Sequence, residues 1–268
     1  MMRVLTVQDL SCLGKCSLTV ALPVLSAMGC AATALPTTLL STHTAFQNPH
    51  RRSLTQDLMP ICDHWKTIGA DFDTVSTGYL ADPEQVDAVS RVLDAFPGAT
   101  HIVDPVMGDH GRLYSAITQA HVQAMKTLCR RADVILPNVT EAALLTGLPY
   151  RETADPGYFR ELLAAMAQFG AKNVILTGVS LEEGTLGCFG TDEAGEFSCR
   201  NKKVQRQCHG TGDLFAAVVA GAMTWGKPCR EAARLAAEFT RRVVEATPEA
   251  TPFGVEFESC LPWLWQNL

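Results

Sequence analysis

The sequence has no long hydrophobic run, no excess of basic charge and no paired-cysteine motif, and each absence removes a class of protein. Its apolar stretches break within about a dozen residues, short of the ~20 that a membrane-spanning helix needs. Lys and Arg number 22 against 28 Asp and Glu, a formal net charge of −6. An acidic chain without a basic run is a poor nucleic-acid binder. The ten cysteines include no C-x-x-C, and the close pair Cys12 and Cys16 has no second pair to complete a zinc site. A chain of 268 residues can bury a full core without covalent staples. The cysteines therefore read as reduced thiols packed as small apolar groups. G-x-G-x-x-G, G-x-S-x-G and H-E-x-x-H are all missing, which leaves a Rossmann dinucleotide site, a serine-hydrolase elbow and a zincin unsupported. The opening Met1-Met2-Arg3-Val4-Leu5-Thr6-Val7-Gln8 turns polar too soon for a secretory signal, so the expected location is the cytoplasm. With no Gly/Ser linker, repeat or low-complexity tract, one domain over 1–268 is expected.

What is present is globular: 47% apolar and 19% charged residues. Short β-branched runs alternate with segments of helical periodicity. Strands are expected over 4–8, 31–36, 74–77, 101–104, 134–136 and 173–176. Helices are expected over 17–28, 54–68, 83–96, 117–130, 139–145, 158–169, 213–225 and 229–246. Between 186 and 207 the rhythm changes to three short strands, 186–189, 196–200 and 203–207, joined by tight turns. Repeated βα units imply a mostly parallel sheet with helices on both faces, and the meander implies an antiparallel edge. In such sheets ligands bind beyond the carboxyl ends of the strands. That filter selects Gln8-Asp9, Thr37, Thr77-Gly78-Tyr79, Asp104, Asn138, Thr177 and the loop before Asp213.

Three strings within that set carry chemistry. In His209-Gly210-Thr211-Gly212-Asp213-Leu214-Phe215, two glycines flank a threonine where an amphipathic helix begins. Turned backbone N–H groups and a helix N-terminus suit an anion such as phosphate; a plainer role for Asp213 is to cap or charge-stabilise the helix. In Asp104-Pro105-Val106-Met107-Gly108-Asp109, two carboxylates follow a strand and could hold Mg²⁺ through water, or Asp104 could form an Asx turn. In Asn138-Val139-Thr140-Glu141, amide and carboxylate could face a metal, although the spacing is also that of a capping box. A fourth string, Gly221-Ala222-Met223-Thr224-Trp225-Gly226-Lys227, has P-loop spacing. It follows a helix and has Pro228 in place of the Ser/Thr that would reach Mg²⁺, so it reads as a helix end.

These strings, in this order on a βα chain, resemble the ribokinase-like superfamily over essentially the whole length. The resemblance implies a three-layer α/β sandwich with a mostly parallel central sheet and an antiparallel edge. Asp104-Pro105-Val106-Met107-Gly108-Asp109, Ser41-Thr42-His43-Thr44 and Ser76-Thr77-Gly78-Tyr79-Leu80 are similar to those of pyridoxal kinases within it. What this implies is transfer of the ATP γ-phosphate to the 5′-hydroxymethyl group of a pyridoxal vitamer. Asp213 would be the base, and Gly210, Thr211 and Gly212 the catalytic anion loop. Asn138, Glu141 and Asp104 would serve Mg²⁺, with Asp104, Tyr114, Asn138 and Thr177 beside the nucleotide. Thr37, His43 and Tyr79 match pocket positions for the pyridine ring; taken singly, Tyr79 also fits a half-buried core tyrosine and His43 a loop cap.

Asp9 stands where many pyridoxal kinases carry serine. It could pair with the protonated ring nitrogen or an amine of the vitamer, or be a solvated helix cap. A flap near residues 45–52 could close over the substrate. K⁺ near the anion loop and a homodimer also follow from the resemblance. Hydroxymethylpyrimidine kinases of thiamin synthesis share the fold but, like some pyridoxal kinases that resemble them, often show Cys where Asp213 stands; a silent small-molecule carrier on the same fold is the alternative of another class. Cys12 and Cys208 are the thiols expected nearest the site.

Overall fold

A run of Val4, Leu5 and Val7, all fully buried, forms the heart of β1 (Arg3–Leu13) at the middle of a parallel sheet. In the computed structural model, which describes residues 1–152, 155–206, 208–249 and 251–268, the chain continues as follows. Helix α1 (Leu18–Ala27) leads to β2 (Ala31–Thr42) and β3 (Arg51–Ser53), then α2 (Thr55–Thr67). Next come β4 (Thr74–Thr77), α3 (Pro83–Ala95) and β5 (Thr100–Val103), then a hairpin of β6 (Gly108–Asp109) and β7 (Arg112–Leu113). These are followed by α4 (Gln119–Cys129), β8 (Val134–Ile135), α5 (Val139–Thr146) and α6 (Pro156–Met166). The chain ends with β9 (Asn173–Val179), β10 (Thr185–Asp192), β11 (Gly195–Lys202), α7 (Thr211–Thr224), α8 (Cys229–Ala246) and α9 (Leu261–Gln266).

The main sheet has the order β11-β10-β9-β8-β5-β4-β1-β2-β3, parallel from β9 to β2 and antiparallel at both edges. Successive side chains on a strand point to opposite faces, and two cores result. Leu5, Val7, Val75, Val103, Ile135 and Leu176 join the core beneath α2 to α6. Val4, Ile102, Val134 and Ile175 join that beneath α1, α7 and α8. The three-layer sandwich expected from the sequence is thus present, with its antiparallel meander edge.

Several boundaries differ from expectation for identifiable reasons. Strand β1 does not stop at residue 8. It pairs with β4 only over Val4 to Val7, but after an irregularity between Gln8 and Leu10 it continues with β2 as far as Leu13 and Thr42. Asp9 and Cys12 therefore lie in a two-stranded ribbon rather than in a loop, and Arg51 and Arg52 of the expected flap belong to β3. The third meander strand is not formed by residues 203–206, and Gln207 lies outside the described residues. Instead the Arg206 guanidinium donates to the carbonyls of Val244, Glu245 and Thr247 at the end of α8, drawing the chain off the sheet edge. The P-loop-like string is the α7–α8 junction, with Gly226 at positive φ and Pro228 at the N-cap of α8. Among the described residues no helix is long and apolar enough to cross a membrane. All ten cysteines are free, and five of them are buried.

A buried histidine of the core is polar without compensation. His121 of α4 is 1% exposed, and neither ring nitrogen has a hydrogen-bond partner. Burial depresses its pKa, with Asp82 opposing the shift. The folded state therefore holds it neutral, while the unfolded chain takes up a proton near pH ~6.5. Its contribution to stability is present above that pH and is lost as the pH falls below it. Replacing His121→Phe should make the urea midpoint fall less between pH 7.5 and 5.5 than in the parent; identical falls would contradict this.

Candidate active site

At the carboxyl end of the sheet the chain parts. From β1 it passes through α1 to β2 on one side, whereas from β4 it passes through α3 to β5 on the other. The loops after β1 and β4 diverge there, which is where a doubly wound sheet sets its ligand crevice. The residues singled out from the sequence come mostly from this end of the sheet.

On one wall stands the glycine loop. Gly210 is the N-cap of α7 at φ 86°, and Leu214 N–H makes the first intrahelical bond to its carbonyl. The N–H groups of Thr211, Gly212 and Asp213 precede that bond and are the helix's unsatisfied donors. Asp213 lies in the first turn, and no side chain caps the helix. A carboxylate there also stabilises the start of the helix through its charge, and it stays half-buried at the crevice. Burial pushes its pKa up to about 6; the charge of Asp9 adds to the shift, and a hydrogen bond from the Ser17 N–H opposes it.

The second wall is built by the capping box of α5. The Asn138 side chain accepts from Glu141 N–H at 2.9 Å, and Glu141 Oε2 accepts from Asn138 N–H at 2.8 Å. The same two side chains reach beyond the helix. Glu141 Oε1 accepts from Met107 N–H at 3.0 Å, and Asn138 Nδ2 donates to the Gly108 carbonyl at 2.8 Å. The box therefore also fastens the loop after Asp104. Glu141 is 3% exposed, and burial raises its pKa against the pull of those backbone N–H groups. Asp104, also buried, is raised well above the carboxylate range by burial, then by Glu141 and Asp213. Asp109 sits exposed beside the β6–β7 turn and bonds its neighbour's N–H. Tyr114 lies close enough to Glu141, Asp109, Asp104 and Asp213 for their charges, after burial, to raise its phenol pKa. Thr177 of β9 bridges to Asn138, its N–H donating to the Pro137 carbonyl.

The far end gathers the expected ring-binding residues. Tyr79 is half-buried, and burial raises its pKa; Arg51 opposes the shift, and Asp9 and Asp82 add to it. Thr37 lies within β2 rather than after it, fully buried, and its hydroxyl has no partner. Thr77, at the end of β4, is in the same condition. His43 is buried, bonds the Pro252 carbonyl at 3.0 Å, and packs 4.8 Å from both Phe46 and His209. It thus joins the polar loop to the residue before Gly210. Asp9 is 2% exposed, its oxygens accepting from Ser11 and Ser17 hydroxyls at 2.9 and 2.5 Å. It lies beneath the crevice and is not the solvated cap that one reading of the sequence allowed.

Two participants escaped sequence reasoning. Cys16, rather than Cys12 or Cys208, is the thiol beside the acids: burial, Asp213 and Asp9 all raise its pKa. The segment after Pro252 straps the glycine loop, with Lys15 N–H donating to the Phe253 carbonyl and Val255 N–H to the His209 carbonyl. Nothing in the sequence separates that segment from an ordinary C-terminal connection.

Comparisons with known proteins identify the family and the fold. The phosphomethylpyrimidine kinase family profile matches residues 21–256. The chain belongs to that family. Its fold superposes on the crystal structure of pyridoxal kinase from Lactobacillus plantarum with a TM-score of 0.90 and 35% identity, covering 99% of this chain and 97% of the other. A pyridoxine/pyridoxal/pyridoxamine kinase from Bordetella bronchiseptica is 28% identical over 268 residues, 92% of this chain and 90% of its own. Pyridoxal kinase from Arabidopsis thaliana is 30% identical over 175 residues, 60% of this chain, which spans just over half (55%) of the plant protein. The chain is a kinase of the ribokinase-like superfamily, a phosphotransferase with an alcohol acceptor.

The two glycines of its loop have different duties. A Cβ on Gly210 would meet the Lys15 carbonyl at 2.3 Å, at a φ that L-residues rarely adopt, whereas a Cβ on Gly212 would meet nothing within 4 Å. Gly210→Ala should lower the melting temperature together with activity. Gly212→Ala should leave melting unchanged and reduce activity alone, by crowding the approach to the helix N-terminus. Equal effects of the two on melting would contradict the distinction.

Proposed function

We propose that this kinase is a pyridoxal kinase, transferring the γ-phosphate of ATP to the 5′-hydroxymethyl group of pyridoxal, pyridoxamine or pyridoxine. The observation that carries this is Asp213: a first-turn carboxylate of raised pKa, beside a glycine loop and near the buried acid Asp104, whose own pKa it raises together with Glu141. An alcohol has a pKa far above 7, so a base must take its proton as the new P–O bond forms. Asp213 accepts that proton, the bond between the γ-phosphorus and the bridging oxygen breaks, and ADP leaves. The N–H groups of Thr211, Gly212 and Asp213 stabilise charge on the transferring group. Thr37, His43 and Tyr79 form the ring pocket; the unpaired Thr37 hydroxyl suits a polar ring substituent, and Tyr79 can stack on the ring. Tyr114, Thr177, Asn138 and Asp104 flank the nucleotide phosphates.

The donor set fits Mg²⁺. Asp104 and Glu141 are buried and enter none of the ion pairs among the described residues. No three His, Cys, Asp or Glu side chains among those residues converge enough to hold a metal alone. Asn138, Glu141 and Asp104 would thus hold it partly through water, with phosphate oxygens completing the shell. Bound there, Mg²⁺ would neutralise phosphate charge. The same proposal takes residues 1–268 as one folding unit, active in the cytoplasm as a homodimer on small molecules alone, with K⁺ as an activator.

The family's description as phosphomethylpyrimidine kinase, and relatives such as the hydroxymethylpyrimidine/phosphomethylpyrimidine kinase of Bacillus subtilis, favour a second reading, hydroxymethylpyrimidine phosphorylation. Aspartate rather than cysteine at 213 argues for the pyridoxal branch. ATP consumption with pyridoxal, pyridoxamine, pyridoxine, hydroxymethylpyrimidine and ribose, with Mg²⁺ and with or without K⁺, separates the two. The highest kcat/KM is expected for a pyridoxal vitamer. Preference for hydroxymethylpyrimidine moves the chain to the thiamin branch, and no turnover of any acceptor supports a silent carrier. In the active assay Asp213→Asn should lower kcat by roughly 100-fold or more with little change in ATP affinity; near-parental turnover would reject Asp213 as the base.

A further inference from the structure

The sheet leaves one gap that its own ladder does not bridge. Thr37 lies on β2 and Tyr79 just after β4, and these two strands are not neighbours, because β1 runs between them. Two strand spacings put them about 10 Å apart. Strand β1 pairs with β4 only as far as Val7 and Thr77, then runs on with β2 alone. The Gly78 N–H still reaches the Val7 carbonyl. Beyond it, no backbone hydrogen bond among the described residues joins 79–82 to β2.

What spans the gap is the side chain of Gln85, in the first turn of α3 and 0% exposed. Its Oε1 accepts from the Ala81 N–H at 2.8 Å, two residues after Tyr79. Its Nε2 donates to the Thr37 carbonyl at 2.9 Å and lies 3.1 Å from the hydroxyls of Thr38 and Thr55. The amide can sit only one way round, since an N–H only donates and a carbonyl only accepts. The helix does not need this amide, because its N-cap Asp82 already accepts from the Gln85 N–H. The packing does not need it either, because an apolar side chain of the same volume would fill the space. Two more links join the same elements, Arg51 to Asp82 at 3.1 Å and Gln56 to Glu84 at 2.9 Å, but they are exposed and contribute little. The bond to Thr37 uses its carbonyl, so the Thr37 hydroxyl stays without a partner.

We infer that Gln85 is a positioning residue for the phosphoryl acceptor: by tying β2 at Thr37 to the loop that carries Tyr79, it fixes the width of the slot for the vitamer ring. The inference rests on the assignment of Thr37 and Tyr79 to the ring pocket. Gln85 acts through these two residues. A pocket whose walls are locked before the ligand arrives spends less of its binding energy on ordering them. Cutting the tie therefore weakens binding of the ring, whereas the nucleotide side of the crevice, built by β5, β9 and α5, keeps its own fastenings.

The test is steady-state kinetics. Gln85→Met keeps the volume and removes the polar atoms; it should raise the pyridoxal KM about 10-fold, with kcat and the ATP KM within about threefold of the parent. Pyridoxamine and pyridoxine share the ring and should show a similar factor. Gln85→Asn, one methylene too short to reach both partners, should behave alike. In a Tyr79→Ala background Gln85→Met should add less than about twofold, because one wall of the slot is already gone. Asp192→Ala, which breaks the pair with Arg230 near the opposite edge of the sheet, should lower the melting temperature with no change in vitamer KM, and so separates slot width from lost stability. A parental vitamer KM in Gln85→Met, an equal rise in the ATP KM, or the full factor in the Tyr79→Ala background would each overturn the inference and leave the pocket in place. Parental pyridoxal KM in both Thr37→Ala and Tyr79→Ala would instead remove the pocket assignment, and the inference with it. If Gln85→Met does not fold by circular dichroism, Gln85→Asn decides by the same criteria.

Discussion

Four carboxyl groups, Asp9, Asp104, Glu141 and Asp213, are held at one end of a sheet without a Lys or Arg paired to any of them among the described residues. Burial raises the pKa of each, and Asp104 and Asp213 are raised further by neighbouring acids. Burying a charge without a partner is among the least favourable arrangements in a protein. Much of the surrounding structure serves to hold these groups where they would not remain by themselves. The capping box anchors Glu141 with two backbone donors, and two serines grip Asp9. The C-terminal strap pins the loop that leads to Asp213.

The stability that tolerates this arrangement comes from elsewhere. Each face of the sheet carries its own apolar core, and the two meet through strand residues that alternate between them. A parallel sheet covered on both faces buries its strands completely. The apolar body is thereby separated from the polar rim: strand interiors supply Val, Leu and Ile, whereas the residues at their carboxyl ends are Asp, Asn, Thr and Tyr. The site can be electrostatically unfavourable because it adds little to the packing that keeps the chain folded.

That separation also explains what could be read from the sequence. The helix over 229–246 and the strand over 74–77 match the structure because their periodicity and flanking breakers are local signals. The Asn138 and Glu141 spacing was legible as a capping box, and the structure makes it one. What it adds, invisible in the spacing, is that the box also clamps Met107 and Gly108 some thirty residues away. The extension of β1 past Gln8 depends on pairing with β2, a non-local property, so no local pattern revealed it. The 203–206 stretch misled for the opposite reason: its local pattern suits a strand, but Arg206 finds better partners at the end of α8. Cys16 and the segment after Pro252 were missed because their importance arises from residues brought together only by the fold, the acids Asp9 and Asp213 for the one and the glycine loop for the other.

The raised pKa of Asp213 gathers these features into one chemical property. A general base near 4 would be ionised throughout the physiological range but would accept a proton weakly; one near 8 would be basic but mostly protonated at neutral pH. A value of about 6 lies between these limits, where the ionised fraction at pH 7 is high and the proton affinity is already increased. Burial alone sets the direction, the Asp9 charge carries it further, and the Ser17 N–H holds it in check. A cysteine at 213 would keep the position but exchange a carboxylate for a thiol, whose ordinary pKa of about 8.5 burial and neighbouring acids would raise further.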